Sequence, residues 1–266
     1  MKKLLLFIFL LITANAVFAQ TLKFSSANNN WNADSLGNFR AIVRVHDSAD
    51  VARAYIEWRR RDEHPELKRI IVVDSATDQK ILNIKPDSIT RESGEVYFQP
   101  TSGAGTYYVY YMPYKNEGRS NYPKGVYLKP EQTASQAWLN KLNDSIPFIF
   151  AYTIQSVNAF NSMYPMEIIA AKSESDSLLK SAAKNFIVFP EDRMHPIKMT
   201  NDLPQRWIGK GIQTSFTDTA LRDENFSFQL GIYALKDLQN VRVKFTDLIS
   251  ENGNKISTQN MSCLNT

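Results

Sequence analysis

The sequence predicts a mainly β protein: an N-terminal antiparallel β-sandwich, a mixed helical and extended connecting region, and the start of a second β-sandwich. Three observations lead there. Short runs of β-branched and aromatic residues recur through the first half with turn residues between them, and no convincing amphipathic helix interrupts them. Strict apolar–polar alternation returns from Phe226 to Ala234. Composition is ordinary for a globular chain, with 43% hydrophobic and 22% charged residues, which excludes a disordered tail or a disulfide scaffold.

The first element is a leader. Lys2 and Lys3 precede an apolar run from Leu4 to Ile12, and Val17-Phe18-Ala19 ends it before Gln20. Charged, apolar and small residues in that order mark a secretory signal peptide over residues 1–19, so the protein is expected to be exported to the periplasm or the cell exterior. The apolar run is too short for a membrane span, which needs about 20 residues, and no later run is longer. No Cys follows the expected cleavage site, so a lipid anchor lacks its attachment residue, and Cys263, the single thiol, has no partner for an internal disulfide. Without Lys2 and Lys3 the charge balance falls from +4 to +2 (29 against 27), too little to indicate a nucleic-acid partner.

The first sandwich is placed at 22–129. Ala41-Ile42-Val43-Arg44-Val45 follows an Asn-rich lead. Tyr55-Ile56-Glu57-Trp58-Arg59 alternates, with Ile56 and Trp58 on one face. Ile70 to Val73, Val96 to Phe98, and Thr106 to Met112 are the next strands, the last opened by Ser102-Gly103-Ala104-Gly105. Alternation also divides the tyrosines of this last strand. Tyr107, Val109 and Tyr111 share one face, and Tyr108, Tyr110, Met112 and Tyr114 share the other, so one set belongs to the core. Tyr108, Tyr110 and Tyr114 are the candidate sugar contacts, because an aromatic face suits the apolar face of a pyranose and the phenol adds a hydroxyl.

The connecting region is 130–208. Ala134, Trp138 and Leu142 at i, i+4 and i+8 predict a short packing helix after Pro130. Phe148 to Met163 fits strand or helix equally well by periodicity. The last segment, 209–266, begins at Gly209-Lys210-Gly211. It carries the alternating Phe226–Ala234 strand, a turn over 236–240, and a second alternation through Val241, Val243 and Phe245. A sandwich takes about 100 residues, so this segment is expected to be truncated inside its domain.

The chemistry of named motifs is missing. There is no G-x-S-x-G, no H-E-x-x-H, no phosphate-binding glycine loop and no C-x-x-C, and no cofactor is expected. His46, His64 and His195 are scattered, and surface or packing roles are expected for them, with no metal site. The acidic pairs Glu191-Asp192 and Asp223-Glu224 read as solvated turn residues. The run Arg59-Arg60-Arg61-Asp62-Glu63 has two readings. Guanidinium forks suit a sulfate or another anionic sugar substituent, but a solvated strand end with locally paired charges is the expectation.

Several strings point to a family. Ser35-Leu36-Gly37-Asn38-Phe39-Arg40-Ala41, then Ile56 to Asp62 with Pro65-Glu66, then Gly103 to Tyr114, and later Phe189 to Arg193, resemble exported Bacteroidetes proteins related to glycoside hydrolase family 123. The resemblance implies β-sandwich modules ahead of a (β/α)₈ barrel. In that barrel an adjacent Asp-Glu pair would cleave N-acetylgalactosaminides with help from the substrate's own acetamido group. Nothing in this chain resembles the barrel, which takes about 250 residues, so no catalytic residue carries over. The implied role is a non-catalytic accessory region, inactive alone, that braces the barrel and shapes the approach of a glycan. A free-standing exported module that binds a carbohydrate or a protein is the alternative.

Overall fold

The computed structural model describes residues 22–182 and 184–264. The expected signal peptide, 1–19, lies outside the described residues. The chain divides into two compact units, the first comprising the chain up to Lys172 together with Lys198–Ile208.

The first unit is a β-sandwich. Its strands in chain order are β1 (Lys23–Ser26), β2 (Phe39–Val45), β3 (Ala52–Ile56), β4 (Ile70–Asp74), β5 (Ile84–Asp87), β6 (Gly94–Phe98), β7 (Gly105–Tyr111), β8 (Tyr114–Arg119), β9 (Tyr122–Tyr127), β10 (Phe148–Phe150) and β11 (Thr153–Ser156). Among the described residues, one sheet runs β1-β11-β2-β7-β4 and the other β10-β3-β6-β5, while β8 and β9 form a separate hairpin. Most pairs are antiparallel, but β1 lies parallel to β11 and β10 parallel to β3.

The core fills the space between the two sheets. Ala41 and Val43 of β2, Ala54 and Ile56 of β3, Val96 and Phe98 of β6, and Tyr107, Val109 and Tyr111 of β7 are buried in one cluster with Trp58. Each large apolar side chain taken out of water there contributes about 1.5–3 kcal/mol. The Trp58 indole N–H donates to the Thr90 carbonyl at 2.9 Å, so its one polar atom is satisfied. Gly94 faces that ring, and a Cβ there would come within 2.3 Å of it. Gly37 has φ +79°, and a Cβ would meet the Met112 carbonyl oxygen at 2.7 Å. Both positions therefore require glycine.

The sandwich does not close at residue 129. Phe148 to Ser156, ambiguous in the sequence, supplies one strand to each sheet: β10 aligns Phe148 with Arg53, and β11 aligns Thr153 with Ile42. Ala151 and Ile154 from this stretch enter the core. The expected helix after Pro130 shrinks to one turn, α2 (Gln136–Leu139), following α1 (Ala33–Leu36). Ser135 caps α2 by accepting from the Trp138 amide, and buried Trp138 donates through its indole to the Asp50 carbonyl at 3.0 Å.

The second unit, Ser173–Ile197 with Gly209–Thr266, holds most of α3 (Lys172–Lys180), β12 (Phe186–Glu191) and β13 (Gln229–Ala234). β12 and β13 pair antiparallel, with Phe189 opposite Gly231. The apolar side of the alternating strand, Leu230 and Ile232, is exposed. Val241 to Phe245, expected as a strand, pairs with nothing among the described residues and is irregular; β14 (Leu248–Ile249) and β15 (Lys255–Ile256) form a short ladder beyond it. No helix among the described residues is long and apolar enough to cross a membrane.

Candidate functional site

The candidate site grows from the arginine-rich segment after β3. Of its three consecutive arginines Arg59 is half-buried, Arg60 buried and Arg61 exposed. Arg60 is 1% exposed, so the expectation of a wholly solvated charge run does not hold. Its guanidinium grips Asp62 with two bonds, Nε and Nη2 each donating at 2.8 Å, and lies 5.4 Å from the ring centres of both Trp58 and Tyr111. Lys68 also binds the Asp62 carboxylate, and its ammonium sits 4.4 Å from the Tyr127 ring centre. Burial alone would raise the Asp62 pKa, but bonds and charge from Arg60 and Lys68 outweigh it and hold the carboxyl below the usual carboxylate range.

Arg61, next in the chain, takes a different acid. Its Nε lies 2.8 Å from Glu167 Oε2 as an ion pair, and Lys198 Nζ donates to the other oxygen of Glu167 at 2.7 Å. Glu167 is buried at a turn whose amide bonds back to the Met163 carbonyl. The result is two carboxylates, Asp62 and Glu167, each shared by two cations beside a cleft of about 560 Å³. Asn38 and Asn161 form part of the same wall, the Asn38 amide donating to Asn161 Oδ1 at 3.1 Å, and Phe160 stands at the rim. Asp62, held ionised, is unsuited to serve as a general acid, which must carry a proton at working pH.

The predicted sugar contacts lie elsewhere. Tyr110 is buried, contrary to its expected place in an exposed set, and its hydroxyl accepts from Arg40 Nη1 at 3.2 Å. A cover made by Trp31 and Leu36 closes this outer face of the sheet, packing on Ile71, Val73 and Tyr110. Tyr108 is half-buried, with the Arg40 guanidinium 3.9 Å from its ring centre and Trp31 on the other cation contact at 4.3 Å. Tyr114 is half-buried on β8, its hydroxyl 3.4 Å from Asn38 Oδ1. The three do not form one open platform. An aromatic group that does reach solvent, Phe148 and Phe150 beside Tyr55, sits on the outer face of the other sheet at ring distances of 5.7 and 5.8 Å.

A scan against protein-family models matches residues 29–162 to the glycoside hydrolase 123, N-terminal domain; these 134 positions are half of the 266. The chain belongs to this family. No curated protein and no solved structure matches it. The glycoside hydrolase 123 N-terminal domain thus runs from the lead into α1 through β11 and ends at Ser162, inside the loop that carries Phe160 and Asn161. Asn38, Arg61, Asp62, Phe160 and Asn161 fall within the family region, while Glu167 and Lys198 lie beyond it.

In the second unit Glu191, Asp192 and Glu224 each meet a basic side chain. Glu191 is fully buried and its carboxylate accepts from Lys210 Nζ at 2.8 Å, so this pair is not the solvated turn the sequence suggests. Asp192 accepts from His195 Nδ1 at 2.8 Å and from the Met194 amide at 2.8 Å. One donor atom from each of Glu191, Asp192 and His195 lies within 4.8 Å of the others, a grouping the sequence reading, which expected no metal, did not assemble. Lys210 already supplies Glu191 with the positive charge a bound cation would bring. Glu224, of the other acidic pair, is bound by Arg193 and by the Leu221 amide, and these bonds lower its pKa.

Proposed function

We propose that this chain is the non-catalytic N-terminal accessory region of an exported glycoside hydrolase of the N-acetylgalactosaminidase type, its chemistry supplied by a catalytic barrel in the full-length protein. The observation that carries this reading is the family match over residues 29–162, which is occupied by the sandwich and the elements that close it. The buried and half-buried acids of the first unit fit the same reading. Asp62 and Glu167 are each gripped by two cations, and Asp74 accepts from Thr101 and the Ala76 amide, so each has a structural partner in place of a reacting bond.

In this reading the sandwich is a rigid brace, and residues 1–19 direct export to the periplasm or the cell exterior. The exposed apolar side of β13 suits a second sandwich completed in the full-length protein. The test is hydrolysis of an aryl N-acetylgalactosaminide by purified chain 20–266. No turnover above the uncatalysed rate is expected, and turnover by the folded chain overturns the assignment.

A further inference from the structure

Beside the cleft of the first unit Asp62 is held by Arg60 and Lys68, and Glu167 by Arg61 and Lys198; both carboxylates line the cleft with Arg61 and Lys198, so each acid there is already matched by a cation. Of these cations Arg61 and Lys198 line the cleft itself, with side chains 43% and 49% exposed. Lys198 spends one N–H on Glu167, and Arg61 pairs with it through charge at 2.8 Å. A guanidinium carries five N–H donors and an ammonium three, so both retain donors for a further acceptor. Glu167, buried beneath them, fixes the two heads to a common carboxylate and thereby limits the ordering cost of binding.

The cleft also has an aromatic rim. Phe160 is 95% exposed, a cost in water that no packing in the first unit repays. Its neighbour Asn161 is locked by Asn38 and Asn158, so the ring is presented from a fixed loop. A ring that accepts an apolar face, set beside two partly satisfied cations, is complementary to a pyranose bearing an anion.

We infer that this cleft binds an anionic saccharide, with a sulfate ester or uronate carboxylate bridging Arg61 and Lys198 and the sugar ring against Phe160. The saccharide part rests on the accessory-region reading above; the anion part rests on the donors that Arg61 and Lys198 retain at the cleft. The arginine run that the sequence singled out thus acquires a ligand, but through Arg61 and not through buried Arg60.

The test is isothermal titration of chain 20–266 at 50 mM salt with four probes: a sulfated chondroitin tetrasaccharide, its desulfated form, a neutral N-acetylhexosamine tetrasaccharide, and inorganic sulfate. The sulfated probe is expected to bind at least tenfold more tightly than the neutral one and to weaken as salt rises. Desulfation that leaves affinity intact assigns the uronate as the anion, and desulfation that removes it assigns the sulfate. Lys198→Gln, which leaves Glu167 paired with Arg61, is expected to weaken the anionic saccharide about tenfold. Phe160→Ala is expected to weaken the saccharide several-fold without changing inorganic sulfate, and its exposed position leaves the melting temperature unchanged. Equal affinity for neutral and anionic probes, or no binding by the folded chain, overturns the inference. Absence of binding leaves the accessory reading standing, whereas turnover of the aryl glycoside overturns that reading and leaves the binding result standing.

Discussion

The Arg40 guanidinium lies 3.9 Å from the centre of the Tyr108 ring, and this contact turns a presumed sugar platform into part of a wall. Arg40 is buried on the outer face of the β2-containing sheet, and among the described residues no carboxylate pairs with it. Its donors go instead to Gln155 Oε1, at 2.9 and 2.6 Å, and to the Tyr110 hydroxyl. The π faces of Trp31 and Tyr108 compensate the desolvated charge.

Arg40→Ala should therefore cost about 3 kcal/mol, because it removes the cation–π contacts and leaves the Gln155 and Tyr110 groups short of a partner. Urea unfolding of the variant measures this directly. A loss below about 0.5 kcal/mol, the range of an indifferent surface change, counts against the wall.

Gly94 is fixed by sterics. A Cβ there would sit 2.3 Å from the Trp58 ring and 2.8 Å from Ile89 Cδ1. Gly94→Ala is expected to destabilise the sandwich by about 1–3 kcal/mol through overpacking. Trp58→Phe in the same chain should recover part of the loss, since the smaller ring vacates the contact; a thermal melt of the pair shows whether it does.

Acid should unfold the first unit through Asp62 and Asp74. Burial works to raise both pKa values, but Arg60 and Lys68 at Asp62, and bonds from Ser102, the Ala76 amide and Thr101 at Asp74, bring both below the usual value. A depressed native pKa contributes stability that is full above the unfolded value of about 4 and is lost as pH falls through the native one. The melting temperature should accordingly hold above pH 4 and drop steeply below it. In Asp74→Asn it should be lower at pH 7 and fall less between pH 4 and 2. A wild-type melting curve that stays level down to pH 2 is incompatible with this.

A chain ending at residue 129 lacks β10 and β11 and exposes one edge of β2 and one of β3. It should melt without cooperativity and associate through those edges, whereas a chain including 148–172 and 198–208 should melt in one transition. Circular dichroism with light scattering distinguishes the two.

Much of the sandwich is written in its periodicity. The β2, β4, β6 and β7 strands coincide with the β-branched and aromatic runs, and the alternation that placed Tyr107, Val109 and Tyr111 on a core face is what the packing uses. The same alternation misjudged the opposite face. It cannot tell that Trp31 and Leu36, some 70 residues earlier, fold over Tyr110, so an outward side chain became a buried one. It failed likewise for Phe226 to Phe245, where two alternating stretches yielded one paired strand.

The amino-acid sequence by itself determined the fold class, most strand positions and the family, because these depend on local periodicity and on contiguous strings. Tertiary structure alone decided which charges share a cleft. Glu167 and Lys198 are remote in the chain from Arg61, yet all three meet within 2.8 Å contacts. Ion pairing is a distance-dependent interaction between side chains that strand order and loop closure bring together, and neither is encoded in the spacing of any one segment.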